Sequence, residues 1–169
     1  ILWKSINILY KTLITPRGSG DKELLKMLKN IFESIDFIQN SVIDGGLRKQ
    51  GVIKKDIPGK PLITVITVVL NNEKYLEESI KSLHQQNYDN YEHIIVDGGS
   101  TDKTIEIIKR YEPKIDYWCS GPDQGIYDAF NKGMKLAKGS YIGFLNSDDV
   151  YEKNKFEFLS KYINNFPEK

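Results

Sequence analysis

The chain has 169 residues, which is enough for one domain with a proper core and a short appendage. Its 24 Lys and Arg residues balance 23 Asp and Glu residues, so its charge gives no reason to expect nucleic acid as a partner. The single cysteine, Cys119, excludes an internal disulfide and fits the cytoplasm, and no segment approaches the 18 apolar residues of a membrane-spanning helix.

Residues 1–60 are predicted to form a helical extension followed by a linker. Apolar residues recur at helical spacing over residues 21–40, where Asp21 can cap the start, and the Gly- and Pro-containing segments on both sides are typical of loops. We expect the apolar stripe to pack on the main domain or on another copy of the chain. Alternatively, the apolar and basic opening "ILWKSINILYKTLI" contacts the inner face of the membrane as a peripheral attachment.

Strands and helices are predicted to alternate from residue 61 to residue 169, the second part of the chain. The run "LITVITVVL" is typical of a strand buried on both faces, and Cys119, in the third strand, is expected to be buried. Strands that alternate with helices favour a three-layer α/β sandwich with a mostly parallel sheet. The predicted strands are 62–70, 91–97, 115–119 and 140–146, and the predicted helices are 73–87, 100–111 with Ser100 as N-cap, and 125–139 with Gly139 as its stop.

Polar residues follow three of these strands and meet at one edge of a parallel sheet. Asn71 follows the first strand, Asp97 ends the second, and "NSDD" (146–149) follows the fourth. We expect a ligand crevice there, with Asp97 as an exposed hydrogen-bond acceptor. The adjacent carboxylates of "NSDD" indicate either a solvated turn or a divalent cation site. The absence of "GxGxxG" and "GxxxxGK[ST]" argues against a dinucleotide fold or a P-loop.

Three blocks carry a resemblance to a known family. "PLITVITVVLNNEKYLEESIKSL", "IIVDGGSTDKTIEII" and "DQGIYDAFNKGMKLAKGSYIGFLNSDD" together resemble the nucleotide-sugar-binding half of a family 2 glycosyltransferase with the Rossmann-like GT-A fold. The nearest resemblance is to bacterial enzymes of surface polysaccharide synthesis, and it covers residues 61–160. It implies inverting transfer of a sugar from a nucleotide-diphospho-sugar, with UDP expected, to a glycan or lipid-linked acceptor. It also implies Mg²⁺ or Mn²⁺ as cofactor.

The resemblance assigns roles to individual positions. Asp97 is expected to accept a hydrogen bond from the base, and Asp148 to hold the metal ion at the "DxD" position. Asp123 and Asp149 are placed near the donor sugar. The remaining positions implied to bind the nucleotide are Thr67, Val69, Asn71, Glu73, Asn131, Asn146 and Ser147.

The sequence departs from the family pattern in three respects. Asn146 replaces the first aspartate of the metal motif, and Leu70 stands where an aromatic residue is common. The general base of such enzymes comes from the second half of the domain, so we expect it beyond Lys169. The alternative interpretation is a truncated, non-catalytic module that binds a nucleotide or a partner. His84 and His93 show no zinc-ligand spacing and are expected to be ordinary helix and strand residues.

Overall fold

The computed structural model describes residues 43–165. The helix expected over residues 21–40 and the membrane or self-association contacts expected of it lie outside the described residues. Within residues 43–165, no helix is long and apolar enough to cross a bilayer. The strands are β1 (Ile43–Gly45), β2 (Ile63–Val69), β3 (Tyr91–Asp97), β4 (Tyr117–Ser120) and β5 (Tyr141–Phe144), and the α-helices are α1 (Leu76–His84), α2 (Thr104–Tyr111), α3 (Ile126–Leu136) and α4 (Lys155–Asn165).

The five strands form one sheet in the order β1-β4-β3-β2-β5. The four strands from β2 to β5 are parallel to their neighbours, and β1 runs antiparallel to β4. The sheet is therefore mostly parallel, as the sequence predicts. Every residue of β2 is buried, which is the pattern expected for a central strand covered on both faces.

Helices cover both faces of the sheet, which confirms the predicted α/β sandwich. On one face, Val69 and Ile95 pack against α1 and α2, while Ile63 and Val65 pack with Phe156 of α4. On the other face, α3 lies against β2 and β3. Cys119 of β4 is buried, as expected. The carboxyl ends of β2, β3 and β5 therefore open at one edge between these layers.

Several predicted helix boundaries are wrong: α1 is shorter by three residues at each end than the predicted 73–87, and two further differences have physical reasons. Ser100 does not cap α2, because its hydroxyl bonds Asp97 and the helix begins only at Thr104. Helix α3 ends at Leu136, three residues before Gly139. Gly139 is instead a point of close packing, since a Cβ there would lie 2.5 Å from the carbonyl oxygen of Leu62. Helix α4 was not predicted from the sequence.

The glycines of residues 43–60, together with Pro58, predict a linker. In the structure this segment forms strand β1 and then residues 46–60, which we call the strap and which contact the sheet at the start of β3. Arg48 forms a buried ion pair with Glu92 and donates from Nη1 to the carbonyl of Leu136 at 2.8 Å. Lys54 Nζ donates to Asp116 Oδ2 at 3.0 Å and to the carbonyl of Tyr91 at 2.7 Å. These contacts attach the strap to β3, to α3 and to the residue that precedes β4.

Candidate functional site

A crevice of about 400 Å³ opens at the carboxyl ends of the parallel strands. Its floor is the end of β2, one wall is the first turn of α3, and the other is the loop that follows β5. This volume is within the range of small-molecule sites, and the place is where open α/β sheets bind ligands. The lining residues are Val68, Val69, Leu70, Asp123, Gly125, Ile126, Ala129, Asn146, Ser147 and Asp148.

The "NSDD" loop is both a turn and a wall of this crevice. The Asp149 N–H donates to the carbonyl of Asn146 at 3.1 Å, which closes a tight turn. The Asn146 amide donates to Asp149 Oδ2 at 2.9 Å, so the side chain of Asp149 is held back on its own turn. Asp148 is exposed at the turn and lines the crevice. The two interpretations of the sequence are therefore compatible, since the turn presents one of its two carboxylates to the cavity.

Three polar side chains of neighbouring elements hold this loop in place. Asn72, which follows β2, donates from Nδ2 to Ser147 Oγ at 2.8 Å. Ser79 of α1 donates to the carbonyl of Asn146 at 3.1 Å, and Thr104 of α2 accepts from the Asn72 N–H at 3.0 Å. Neither Ser79 nor Thr104 was predicted from the sequence. The available signal was a serine within the buried stripe of α1, where a polar group needs a partner.

Asp97 is not the exposed acceptor that the sequence suggested, because it is only 1% exposed. Its carboxylate accepts from the N–H groups of Gly99 and Ser100, both at 2.9 Å, and from Ser120 Oγ at 2.6 Å. The hydroxyl of Ser100 donates a fourth hydrogen bond. Three of these donors bond Oδ2 and one bonds Oδ1. Asp97 thus fixes the turn at the end of β3, and its carboxylate is buried there and does not line the crevice.

Asp123 reaches the crevice across the turn that Asp97 fixes. A Cβ on Gly98 would lie 2.7 Å from Asp123 Oδ2, so glycine at position 98 leaves room for this carboxylate. Asp123 Oδ1 accepts from the Gly125 N–H at 2.8 Å. Among the described residues, no donor bonds Oδ2. Asp123 and Asp148 are therefore the two carboxylates that line the crevice.

The other positions assigned by resemblance are distributed around the crevice. Thr67 is fully buried, and its hydroxyl lies 3.0 Å from His93 Nε2 on the side of the sheet away from α3. Asn71 Oδ1 accepts from the Thr101 N–H, and Glu73 accepts from the Lys103 N–H, both between 2.8 and 2.9 Å. These two side chains join the loop after β2 to the loop after β3. Asn131 lines a neighbouring groove on α3.

Among the described residues, Asp148 is the carboxylate of the crevice that is best placed for a divalent cation. These residues do not form a metal centre in which protein side chains supply all the ligands. Within residues 43–165, no group of three or more His, Cys, Asp or Glu side chains converges as a metal-binding set. Asn146 and the loop carbonyls are further oxygen donors of the kind that Mg²⁺ and Mn²⁺ accept. An exposed single carboxylate fits a cation that completes its shell with phosphate oxygens and water. The donor set therefore fits an ion brought in with a diphosphate.

The family comparison agrees with this geometry. A model of the family described as Glycosyl transferase family 2 matches residues 64–168. An uncharacterised glycosyltransferase of Haemophilus influenzae is 42% identical over 100 residues, which are 57% of this chain and 40% of that protein. TuaG of Bacillus subtilis, a glycosyltransferase named for teichuronic acid biosynthesis, is 39% identical over 101 residues, or 58% of this chain and 40% of TuaG. The chain thus spans well under half the length of these relatives.

Solved structures share the fold. Residues 1–349 of S. aureus TarS in complex with UDP-GlcNAc superpose with a TM-score of 0.57 at 28% identity, covering 61% of this chain and 31% of that one. A mannosyltransferase of Pyrobaculum calidifontis in complex with GDP-Man and Mn²⁺ gives a TM-score of 0.56 at 17% identity, covering 82% of this chain and 39% of that one. At that identity the second likeness concerns the fold alone.

Proposed function

Because this chain belongs to glycosyl transferase family 2, we propose that it is the donor-binding part of an inverting glycosyltransferase that uses a nucleotide-diphospho-sugar, with UDP as the nucleotide. The observation that carries this proposal is the crevice at the carboxyl ends of β2 and β5, which Asp123 and Asp148 line together. The likeness to TarS, solved with UDP-GlcNAc, supports UDP. The likeness to TuaG, named for teichuronic acid biosynthesis, supports a role in polysaccharide synthesis. Our proposal includes a glycan or lipid-linked acceptor and a reaction at the cytoplasmic side of the membrane.

In this function the "NSDD" turn binds the diphosphate of the donor. A lone carboxylate would repel two phosphates, so Asp148 would bind them through Mg²⁺ or Mn²⁺. The cation, when bound, stabilises the negative charge that grows on the leaving diphosphate. Asn146, held by Ser79 and by its own contact to Asp149, keeps the turn in place for this role. Asp149 is the less available of the two adjacent carboxylates because it already accepts that hydrogen bond.

We assign recognition of the nucleobase to Asp123 and the positioning of its surroundings to Asp97. Uracil presents an N3–H donor, which requires an acceptor that is not already used. Asp97 is buried, accepts four hydrogen bonds and does not line the crevice, whereas Asp123 lines it and its Oδ2 has no donor from residues 43–165. This assignment replaces the base contact that the resemblance gave to Asp97. It also gives Asp123 a different role from the donor-sugar contact suggested by the sequence.

Isothermal titration calorimetry with UDP, in the presence and absence of Mn²⁺, tests the metal role. We expect Mn²⁺ to tighten UDP binding by about tenfold or more, a coupling typical of two ligands that share a site. Asp148→Asn should abolish most of this gain and leave metal-free binding nearly unchanged. Asp149→Asn is the matched control and should keep most of the gain. A wild-type affinity that is independent of metal would contradict the proposal and leave the loop as a solvated turn.

Comparison of UDP with N3-methyl-UDP tests the base contact. The methyl group removes the donor, so wild-type binding should weaken by about tenfold, the cost of losing one hydrogen bond to a charged acceptor. Asp123→Ala removes the acceptor, so this variant should bind UDP more weakly than the wild type and should discriminate less between the two nucleotides. If Asp123→Ala kept the full discrimination, the base would be recognised elsewhere.

A further inference from the structure

The loops that follow β2 and β3 are joined by hydrogen bonds that run in both directions. We call residues 70–75 and 98–104 together the double loop. Three consecutive N–H groups of its first segment donate to side chains of its second segment at 2.7 to 3.0 Å: Asn71 to Ser100, Asn72 to Thr104 and Glu73 to Asp102. In return, the N–H groups of Thr101 and Lys103 donate to the side chains of Asn71 and Glu73. Displacement of one segment therefore breaks bonds of the other, and the two respond to a ligand as one unit.

Asn72 also joins the double loop to the "NSDD" turn. Its Nδ2 donates to Ser147 Oγ at 2.8 Å, and Ser147 is only 8% exposed, so little water competes for this bond. Its N–H donates to Thr104, which is fully buried. Among the described residues, Asn72 is the member of the double loop whose side chain bonds the turn. One residue thus connects the segments that follow β2, β3 and β5.

Both ends of this connection reach the crevice. Leu70, the first residue of the double loop, lines it, and Gly98 lies beside the carboxylate of Asp123, to which we assign the base. At the other end, the bonded hydroxyl belongs to the residue that precedes Asp148. A nucleotide in contact with Leu70 and Asp123 favours one arrangement of the double loop, and the Asn72 amide transmits this preference to the turn. Two ligands are coupled when both bias the same element.

We propose that Asn72 is a positioning residue that couples nucleotide binding to cation binding. The inference rests on the proposed function, because it requires UDP in the crevice and Mn²⁺ at Asp148. By holding Ser147, the Asn72 amide fixes the turn that presents Asp148 to the crevice. In this role Asn72 acts through the turn and makes no contact with the cation. Its loss should therefore lower the cooperation between the two ligands and leave the binding of UDP alone in place.

Isothermal titration calorimetry of the full 169-residue chain with UDP measures this coupling as the gain in affinity that Mn²⁺ gives. Asn72→Ala should reduce the gain by at least about threefold, as expected for the loss of one hydrogen bond between neutral groups, and should leave metal-free binding nearly unchanged. Ser147→Ala breaks the same bond from the side of the turn. The double variant should lose no more of the gain than either single variant, because the two side chains make one contact.

Asn87→Ala is the matched control. Asn87 Nδ2 donates to Asn154 Oδ1 at 2.6 Å, so this variant also removes an asparagine bond to the segment that follows β5, but outside the double loop. It should keep the full gain. A second measurement needs no metal, because UDP alone should slow hydrogen exchange at the Asp149 N–H, which closes the turn. We expect slowing of at least about threefold in the wild type and none in Asn72→Ala.

Two outcomes would overturn the inference and leave the proposed function intact. One is a gain that Asn72→Ala and Ser147→Ala both keep. The other is exchange at Asp149 that UDP slows equally, or not at all, in the wild type and Asn72→Ala. If Asn72→Ala does not fold, Ser147→Ala provides the same two measurements. A wild type that gains nothing from Mn²⁺ would contradict both the inference and the proposed metal role, so the two failures are distinguishable.

Discussion

The two edges of the sheet differ in how far the edge strand is paired and covered by residues 43–165. At one edge, β1 pairs antiparallel with β4, and the strap that follows it carries charged side chains to buried partners. At the other edge, which we call the open edge, β5 pairs with β2 alone among residues 43–165 and is flanked by exposed aromatic side chains. Within the described residues, one edge, the closed edge, is thus covered by the chain itself, and the other keeps apolar side chains exposed.

The difference shows how the energetic role of a residue depends on what already surrounds it. Charges at the closed edge are removed from water and therefore must keep their partners. At the open edge, Ile142, Phe144 and Phe158 are 44%, 47% and 73% exposed, so this chain gains only part of the free energy that their full burial would give. We therefore expect substitutions at the closed edge to affect folding more than substitutions at the open edge.

The largest effect is expected at the buried ion pair of the closed edge. Arg48→Met leaves the Glu92 carboxylate, which is 1% exposed, without its cationic partner. Removing one member of a buried pair typically costs about 3–5 kcal/mol. Chemical denaturation should show a loss of this order in the free energy of unfolding. Lys49→Met is the control, because Lys49 pairs with Asp44 at the surface and should cost less than about 1 kcal/mol. Equal losses in the two variants would refute the distinction.

A smaller effect is expected from pH, through two histidines near the closed edge. Burial lowers the pKa of His84 to about 4, with further lowering by Lys114 and Lys54, and burial lowers the pKa of His93 well below its ordinary value. The unfolded chain takes up protons below pH 6.5, whereas the folded chain keeps both rings neutral. Stability should therefore be complete above about pH 6.5 and should fall as the pH falls toward 4.

His84→Gln isolates this contribution because glutamine keeps a polar group but does not titrate. Between pH 7.5 and 5, the wild type should lose about 1–2 kcal/mol more than the variant, a range that allows for the partial exposure of His84. Denaturation curves at both pH values measure this difference. Parallel losses in the two proteins would show that His84 titrates normally in the folded state.

The sequence predicted the four parallel strands, including β5 at one edge of the sheet, but not the antiparallel strand β1 at the other edge. Strands β2 and β3 were found within one residue at each end, because a long β-branched run leaves few alternatives. Strand β1 has only three residues and includes Gly45, so neither length nor composition indicates a strand. Its pairing with β4 involves contacts between residues distant in sequence, such as the hydrogen bond that the Tyr117 hydroxyl donates to Asp44 at 2.9 Å.

The candidate site was predicted in part, for a related reason. The motif spacing placed Asp148 at the crevice, because strand ends of a parallel sheet must meet. The spacing of the motifs could not predict that hydrogen-bond donors surround the Asp97 carboxylate, because one of these donors, Ser120, belongs to a different strand. Nor could it show that Gly98 makes room for Asp123. Both features depend on which loops meet in three dimensions.

The smallest effect on folding is expected at the open edge. Phe158→Ser removes a large apolar side chain that is 73% exposed, so little burial is lost and the free energy of unfolding should change by less than about 0.5 kcal/mol. The same variant should bind less of a dye that reports exposed apolar surface, such as anilinonaphthalene sulfonate, because the surface of α4 loses its most exposed aromatic ring. Fluorescence titration and denaturation of one preparation measure the two quantities together. A loss of stability above about 1.5 kcal/mol would mean that Phe158 is already covered in the folded chain, and the contrast between the two edges would then fail.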